Sequence, residues 1–237
     1  MQPYFLPYIG YFALIKNVEK FVLLDEVQFI RHGWIERNRI INPKGDFTYL
    51  QVPLNKMDGR NTIIHQLTIR NNEQWKQKIL SQIEVYKRRA PNYYAVLNVL
   101  KQCLDIETDS IVELNQHILK CVCEYLDIKT DIEVFSKMNL NIEEPKSPGD
   151  WALNICKRMP GVTEYWNPIG GRGIFEPSHF ESAHIKLSFF SIQDYHYNQA
   201  DLPFQQHLSI IDVLMFCSKE EIHGMLDNYF IADASSL

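Results

Sequence analysis

The chain has 237 residues, 46% of them hydrophobic and 22% charged. That balance excludes wholesale disorder and supplies apolar material for a large core in one or two domains. Lys and Arg number 24 against 29 Asp and Glu, and the resulting formal charge of −5 weighs against a protein that coats nucleic acid.

Five cysteines are scattered apart from Cys121-Val122-Cys123, and they form no CxxC pair or Cys/His quartet. No metal site is expected. The opening residues lack a charged segment ahead of an apolar one, so no signal peptide is expected. The apolar runs fall far short of the ~20 residues that a membrane span needs. Reduced thiols then fit a cytoplasmic protein.

In chain order, Met1–Phe5 reads as a strand running into a stiff loop bracketed by Pro3 and Pro7. Ile9, Phe12, Ala13 and Ile15 recur at near-helical spacing and predict a helix to Asn17. Lys20–Leu24 is a short buried-type strand, completing a βαβ unit. Trp34–Ile41 and Phe47–Val52 flank Asn42-Pro43-Lys44-Gly45-Asp46, a hairpin signal, and Gln66–Arg70 reads as one more strand. From Glu73 to Leu126 the pattern is helical, with Ser110 as a cap, and the block reads as an insertion.

Strands and helices then alternate. Strands are predicted at Ile132–Phe135, Thr163–Trp166 and Ile185–Phe190, and helices at Ser147–Met159, Glu176–Ser182, Ile210–Phe216 and Glu220–Phe230. The expected fold class is α/β: a Rossmann-like, mainly parallel doubly wound sheet with an inserted helical segment. The expected parts are an α/β portion over 1–70, the helical insertion over 71–128, the rest of the α/β domain over 129–231 and a flexible tail over 232–237.

Four stretches carry residue types suited to chemistry. In open α/β sheets, ligands gather at the carboxyl ends of strands. The first loop would place Gln2, Tyr4, Tyr8 and Tyr11 at that rim, with Gly10 allowing a backbone or phosphate close to the first helical turn. Packing of the sheet end explains the same tyrosines about equally well. Asp25, at the exit of the next strand beside Gln28, is the candidate base or hydroxyl acceptor, although a lone Asp is usually a solvated loop carboxylate.

Arg31, Arg37 and Arg39 with His32 make a basic spot in an acidic chain. Arg37 and Arg39 share a strand face as candidate phosphate ligands, Asn38 points the other way, and Trp34 could stack on a ring. A salt-bridged strand edge is the alternative, and the anion site is favoured over it because the acidic surroundings do not explain the cluster. After another strand come Asn167, Gly170, Gly171 and Arg172, with three of the ten glycines inside four residues. Successive flexible amides can cradle an anion, and a simple turn is the alternative. The cysteines and Ser209/Asp212 read as core and helix capping.

The opening Met-Gln-Pro-Tyr-Phe-Leu-Pro-Tyr-Ile-Gly-Tyr-Phe resembles the start of the WbqC-like proteins. So do Asp25–Phe29, Gly33-Trp34-Ile35 with Arg37–Arg39, Asn167 with Gly170-Gly171, and Leu208–Phe216. Glu26 and Glu36 stand where Asp and Asn are common in that family. The resemblance implies a bacterial cytoplasmic protein of O-antigen or capsule-type polysaccharide biosynthesis. It implies a transferase that moves an acyl or aminoacyl group to an amino sugar or a nucleotide-linked sugar.

A weaker likeness to nucleotidylyltransferases lies in the first loop. There Tyr8-Ile9-Gly10-Tyr11 stands in place of His-x-Gly-His, and the imidazoles that would stabilise a transferring phosphoryl group are missing. A nucleotide-binding enzyme of that type is the second reading, and a non-catalytic partner of a glycan-biosynthesis complex the third. The expected ligand is a small sugar substrate, with an acyl-donor thioester or a nucleotide as donor and no resident cofactor. An acyl carrier protein or a second copy of the chain is the expected protein partner.

Overall fold

The computed structural model describes residues 1–55 and 62–234. Residues 1–8 form no strand. They are a loop laid beside the first strand, where the Leu24 amide donates to the Met1 carbonyl at 2.7 Å. Helix α1 (Ile9–Lys16) follows, and every residue from Ile9 to Ile15 is buried, so it runs through the core rather than over it.

Strand β1 (Lys20–Leu23) leads to the hairpin of β2 (Arg37–Ile41) and β3 (Phe47–Gln51), paired antiparallel from Arg37–Gln51 to Ile41–Phe47. Its turn depends on Gly45 at φ +80° and on the Asn42 side chain, whose Oδ1 accepts the Lys44 amide at 2.8 Å. The strand expected over Gln66–Arg70 is instead a short 3-10 turn at Ile64–Gln66, followed by single bridges from Thr68 to Ser110 and from Ile69 to Leu54.

The helical block comprises α2 (Trp75–Gln82), α3 (Tyr93–Leu104) and α4 (Ile111–Tyr125). The Ser110 hydroxyl caps α4 by accepting the Glu113 amide. Strand β4 (Asp131–Val134) pairs parallel with β1. Then come α5 (Asp150–Arg158), β5 (Glu164–Pro168), α6 (Pro177–Ser182) and β6 (Lys186–Ile192). Helix α7 (Ile210–Phe216), α8 (Lys219–Asp227) and β7 (Tyr229–Asp233) close the order. Ser218 and Glu221 form a reciprocal capping box at the start of α8. Ala232, expected in a frayed tail, is buried in β7, while 235–237 lie outside the described residues.

The strands are hydrogen-bonded in three sheets: β1–β4 parallel, β2–β3 antiparallel, and β5–β6–β7 with one parallel and one antiparallel pairing. The protein is thus mixed α/β, and the described strands do not join into one doubly wound sheet. Alternation of strands and helices establishes parallel crossovers, but the number of ladders that fuse depends on long-range neighbours.

Side chains do much of the joining. Asp212, fully buried on α7, accepts from the hydroxyls of Tyr86 (2.5 Å) and Tyr197 (2.6 Å) and from Gln199 Nε2 (2.8 Å). This ties the helical block and the 193–208 segment to one helix.

Buried side chains form two clusters. The larger unites α1, the hairpin, the helical block, α7 and α8. The smaller gathers Leu153, Cys156, Phe180, Leu187 and Phe189 around α5, α6 and β6.

Candidate functional site

A cleft of about 1070 Å³ opens between these two clusters. Ligand pockets commonly span roughly 300–1,000 Å³, so this one is large. Tyr4 and Tyr8 on one wall pack against the larger core, while Ala152, Tyr165 and Phe175 on the other pack against the smaller.

The first wall is the loop 1–8 clamped onto the hairpin. The Phe5 amide donates to the Trp34 carbonyl at 2.8 Å, and Asn38 Nδ2 donates to the Phe5 carbonyl at 3.1 Å. From behind, the buried Asn115 of α4 donates through Nδ2 to the Pro3 and Ile35 carbonyls at 2.8 and 2.9 Å. The Ile210 amide takes the Pro7 carbonyl at 2.8 Å. A loop without regular structure is thereby held in one shape.

Gln2, Tyr4, Tyr8, Gln28, Trp34, Asn38 and Arg39 line this side. Arg39 is its charged centre. The guanidinium lies 5.3 Å from the Trp34 ring centroid and 5.1 Å from that of Phe47, and its Nη2 donates to the His207 carbonyl at 3.1 Å. Its Nε is buried with no hydrogen-bond partner. Burial raises the phenol pKa values of Tyr4 and Tyr8, so both hydroxyls stay protonated and able to donate at neutral pH.

The second wall is built from β5, the short 3-10 turn Ile169–Ile174 and the entry to α5. Asn167, Gly170 and Gly171 line it with Tyr165, Ile174 and Phe175. Asn167 is held by the Tyr165 hydroxyl at its Oδ1 (3.1 Å) and by its own donation to the Pro168 carbonyl (2.8 Å). A Cβ on Gly171 would sit 2.4 Å from Asn167 Nδ2, so Gly171 is the space that this amide occupies. Gly170, Gly171 and Gly173 do not have the positive φ that an alternating anion nest uses, and the stretch is a 3-10 turn. The expected cradle is therefore a turn that sets Asn167 at the cleft edge.

Several expectations change. Asp25 is 1% exposed and lies outside the lining. Its Oδ1 accepts the Ser136 amide at 3.0 Å and its Oδ2 the Ser136 hydroxyl at 2.6 Å, so it anchors the segment after β4 and is not placed to act as a base on a ligand. Tyr11 is buried against Phe21 in the core, and its hydroxyl donates to the Gln2 carbonyl at 2.7 Å. Gly10 makes room for the Tyr8 ring, which a Cβ would meet at 2.4 Å, rather than for a ligand.

The basic spot also divides. Arg37 lies over the Tyr49 ring at 4.2 Å and bonds the His32 and Gly33 carbonyls. Arg31, His32 and Glu36 line a separate hollow of about 710 Å³. Only Arg39 of the three arginines enters the main cleft. Arg172 is exposed and outside the lining.

Glu26, Lys146, Trp151 and His207 also line the cleft and were not singled out from the sequence. His207 has a positive φ of 57°, which turns the chain at the cleft edge and which its sequence neighbours do not announce. Its ring lies edge-on to Tyr8 at 5.9 Å. Among the lining residues, Glu26 is the one carboxylate and His207 the one imidazole. Among the described residues, no three His, Cys, Asp or Glu side chains group as a metal would require, and no helix is long and apolar enough to cross a membrane.

Four of the stretches that carry the sequence resemblance, the opening loop, 25–29, 33–39 and Asn167 with Gly170-Gly171, contribute lining residues to this cleft, and the model of the WbqC-like protein family matches residues 2–224. The chain belongs to the WbqC-like protein family. This WbqC-like chain is also 24% identical over 216 residues to a Mycobacterium tuberculosis (strain ATCC 25618 / H37Rv) protein described as "Uncharacterized protein Rv1507c", with 90% of each chain covered. No solved structure matches it.

Proposed function

We propose that the cleft is the active site of a transferase of bacterial surface-polysaccharide biosynthesis, acting on an amino sugar or a nucleotide-linked sugar and moving an acyl or aminoacyl group to it. The observation that carries this reading is the meeting of Arg39, Trp34, Tyr8 and His207 on one wall with Asn167 on the other. A sugar phosphate asks for this set: a guanidinium for the phosphate, aromatic faces for the ring, and fixed amide and phenol groups for hydroxyls. Arg39 and Lys146 make the cleft locally cationic in a chain of net charge −5.

Acyl transfer to an amine also needs a group that takes the proton lost by the attacking nitrogen. In this reading Glu26 or His207 takes it, and Asp25 keeps its structural role. Donor and acceptor would lie along the cleft, whose volume accommodates more than one small molecule.

Isothermal titration with a panel of nucleotide sugars tests the proposal. Binding by at least one is expected, and Arg39→Ala should weaken it by about 10- to 100-fold, the worth of a charge-assisted hydrogen bond. Absence of heat and of any thermal shift with every nucleotide sugar would remove the sugar-phosphate reading.

A further inference from the structure

The cleft is polar where Arg39, Asn38 and Asn167 sit, but its mouth is not. Ile30 is 67% exposed, Ile174 50% and Trp34 36%, and all three line this same cleft. They account for half of the large hydrophobic side chains exposed among the described residues; the others are Tyr94, Ile169 and Phe230. Ile169 belongs to the same 3-10 turn as Ile174. The apolar residues come from both walls: Ile30 and Trp34 from the loop before the hairpin, Ile174 from the turn after β5. Singly scattered apolar residues need no explanation, but several that rim one cleft do.

We propose that the cleft binds an amphipathic anion, an aliphatic chain joined to a phosphate, with the phosphate at Arg39 and the chain laid along Ile30, Trp34 and Ile174. The inference rests on the transferase reading of the same cleft and names the second half of its ligand chemistry. Continuity of the apolar rim with a cationic interior favours this occupant over a protein surface. The Trp34 ring lies 5.3 Å from the Arg39 guanidinium and lines the same cleft as Ile30 and Ile174, so an apolar face stands beside the proposed phosphate position. A sugar alone would leave those side chains in water. Two ligand sources carry both groups: a lipid-linked phosphate, in which the chain is esterified directly to the phosphate, and a fatty acyl thioester on a phosphorylated carrier, in which the carrier's pantetheine arm lies between them.

The test titrates the whole protein with butyl, octyl and dodecyl phosphate below their micelle concentrations, and in parallel with acetyl-, octanoyl- and dodecanoyl-coenzyme A and a short polyprenyl phosphate. Affinity should rise about twofold per added methylene over the first eight carbons, less than full burial of each would give because the mouth is open. The double variant Ile30→Ser/Ile174→Ser should flatten that slope, lowering the dodecyl-to-butyl affinity ratio at least tenfold. Both positions are exposed, so the variant should melt with the wild type, and a matching melting curve makes its slope interpretable.

Preference for the coenzyme A series over the polyprenyl phosphate assigns the chain to the acyl donor, and the reverse assigns it to a lipid-linked acceptor. Affinity independent of chain length overturns the inference, as does a slope that the double variant leaves unchanged. Nucleotide sugars that bind while the chain-length slope is flat would sink this inference and spare the transferase reading. A steep slope with no nucleotide sugar bound would do the opposite.

Discussion

Arg39 shows how one side chain acquires a role. Its neighbour two residues back, Arg37, has the same chemistry and lies on the same strand, yet is held over Tyr49 by the His32 and Gly33 carbonyls. Arg39 extends past Trp34 to the His207 carbonyl and keeps a buried Nε without a protein partner. Alternation along the strand made the two look equivalent, and their different partners, Tyr49 with the 32–33 carbonyls for Arg37 and Trp34 with the distant His207 carbonyl for Arg39, separate them.

Cys121 is a second case at this scale. Its thiol is held low, at about 7, first by the hydrogen bond from Cys103 and then by His117, whose Nε2 is 3.5 Å away. Burial pushes Cys123 up to about 12, Cys156 to about 11 and Cys217 to about 12. The thiolate is the reactive form, so brief iodoacetamide treatment at pH 7.5 should label Cys121 ahead of the other four. Its rate should rise through pH 7 and level off by pH 8.5, read by peptide mass spectrometry. Equal labelling of Cys121 and Cys217 would contradict the assignment.

At the scale of elements, the cleft wall depends on a helix that never touches a ligand. Asn115 of α4 holds the Pro3 and Ile35 carbonyls with one amide nitrogen. Asn115→Ala leaves both buried acceptors without a donor. The expected cost is on the order of 3 kcal/mol, measurable in urea unfolding. The same variant should loosen residues 1–8, seen as faster exchange of the Phe5 amide, which donates to Trp34.

The helices were readable because apolar spacing and caps are local. Ser110 before Ile111 and Ser209 before Ile210 mark starts that the chain obeys. The hairpin was readable from Asn42–Asp46 for the same reason. The helix predicted over Glu220–Phe230 overruns α8 into the first two residues of β7, since Tyr229 and Phe230 continue an apolar pattern. The Asn228 break and the free edge of β6 decide otherwise.

For the molecule as a whole, the two cores predict two levels of stability. The smaller cluster around α5, α6 and β6 holds far less buried apolar surface than the one containing α1, α4 and α7. Native-state hydrogen exchange should therefore find Leu187 and Phe189 amides opening at a lower free energy than those of α1 and α4. A ligand that spans the cleft binds both sides, and it should raise protection in the smaller cluster most. Uniform protection throughout would mean that the two clusters unfold as one.

Local sequence determined the helices, their caps, the hairpin and the residue types that gather at the cleft, because each is written within a few positions of the chain. Tertiary structure alone decided that the described strands form three sheets, that Asp25 is locked onto Ser136, that His207 meets Tyr8 of the opening loop and that Lys146 lines the same cleft. Those outcomes depend on which distant backbone groups and side chains become neighbours, and no short-range periodicity carries that information.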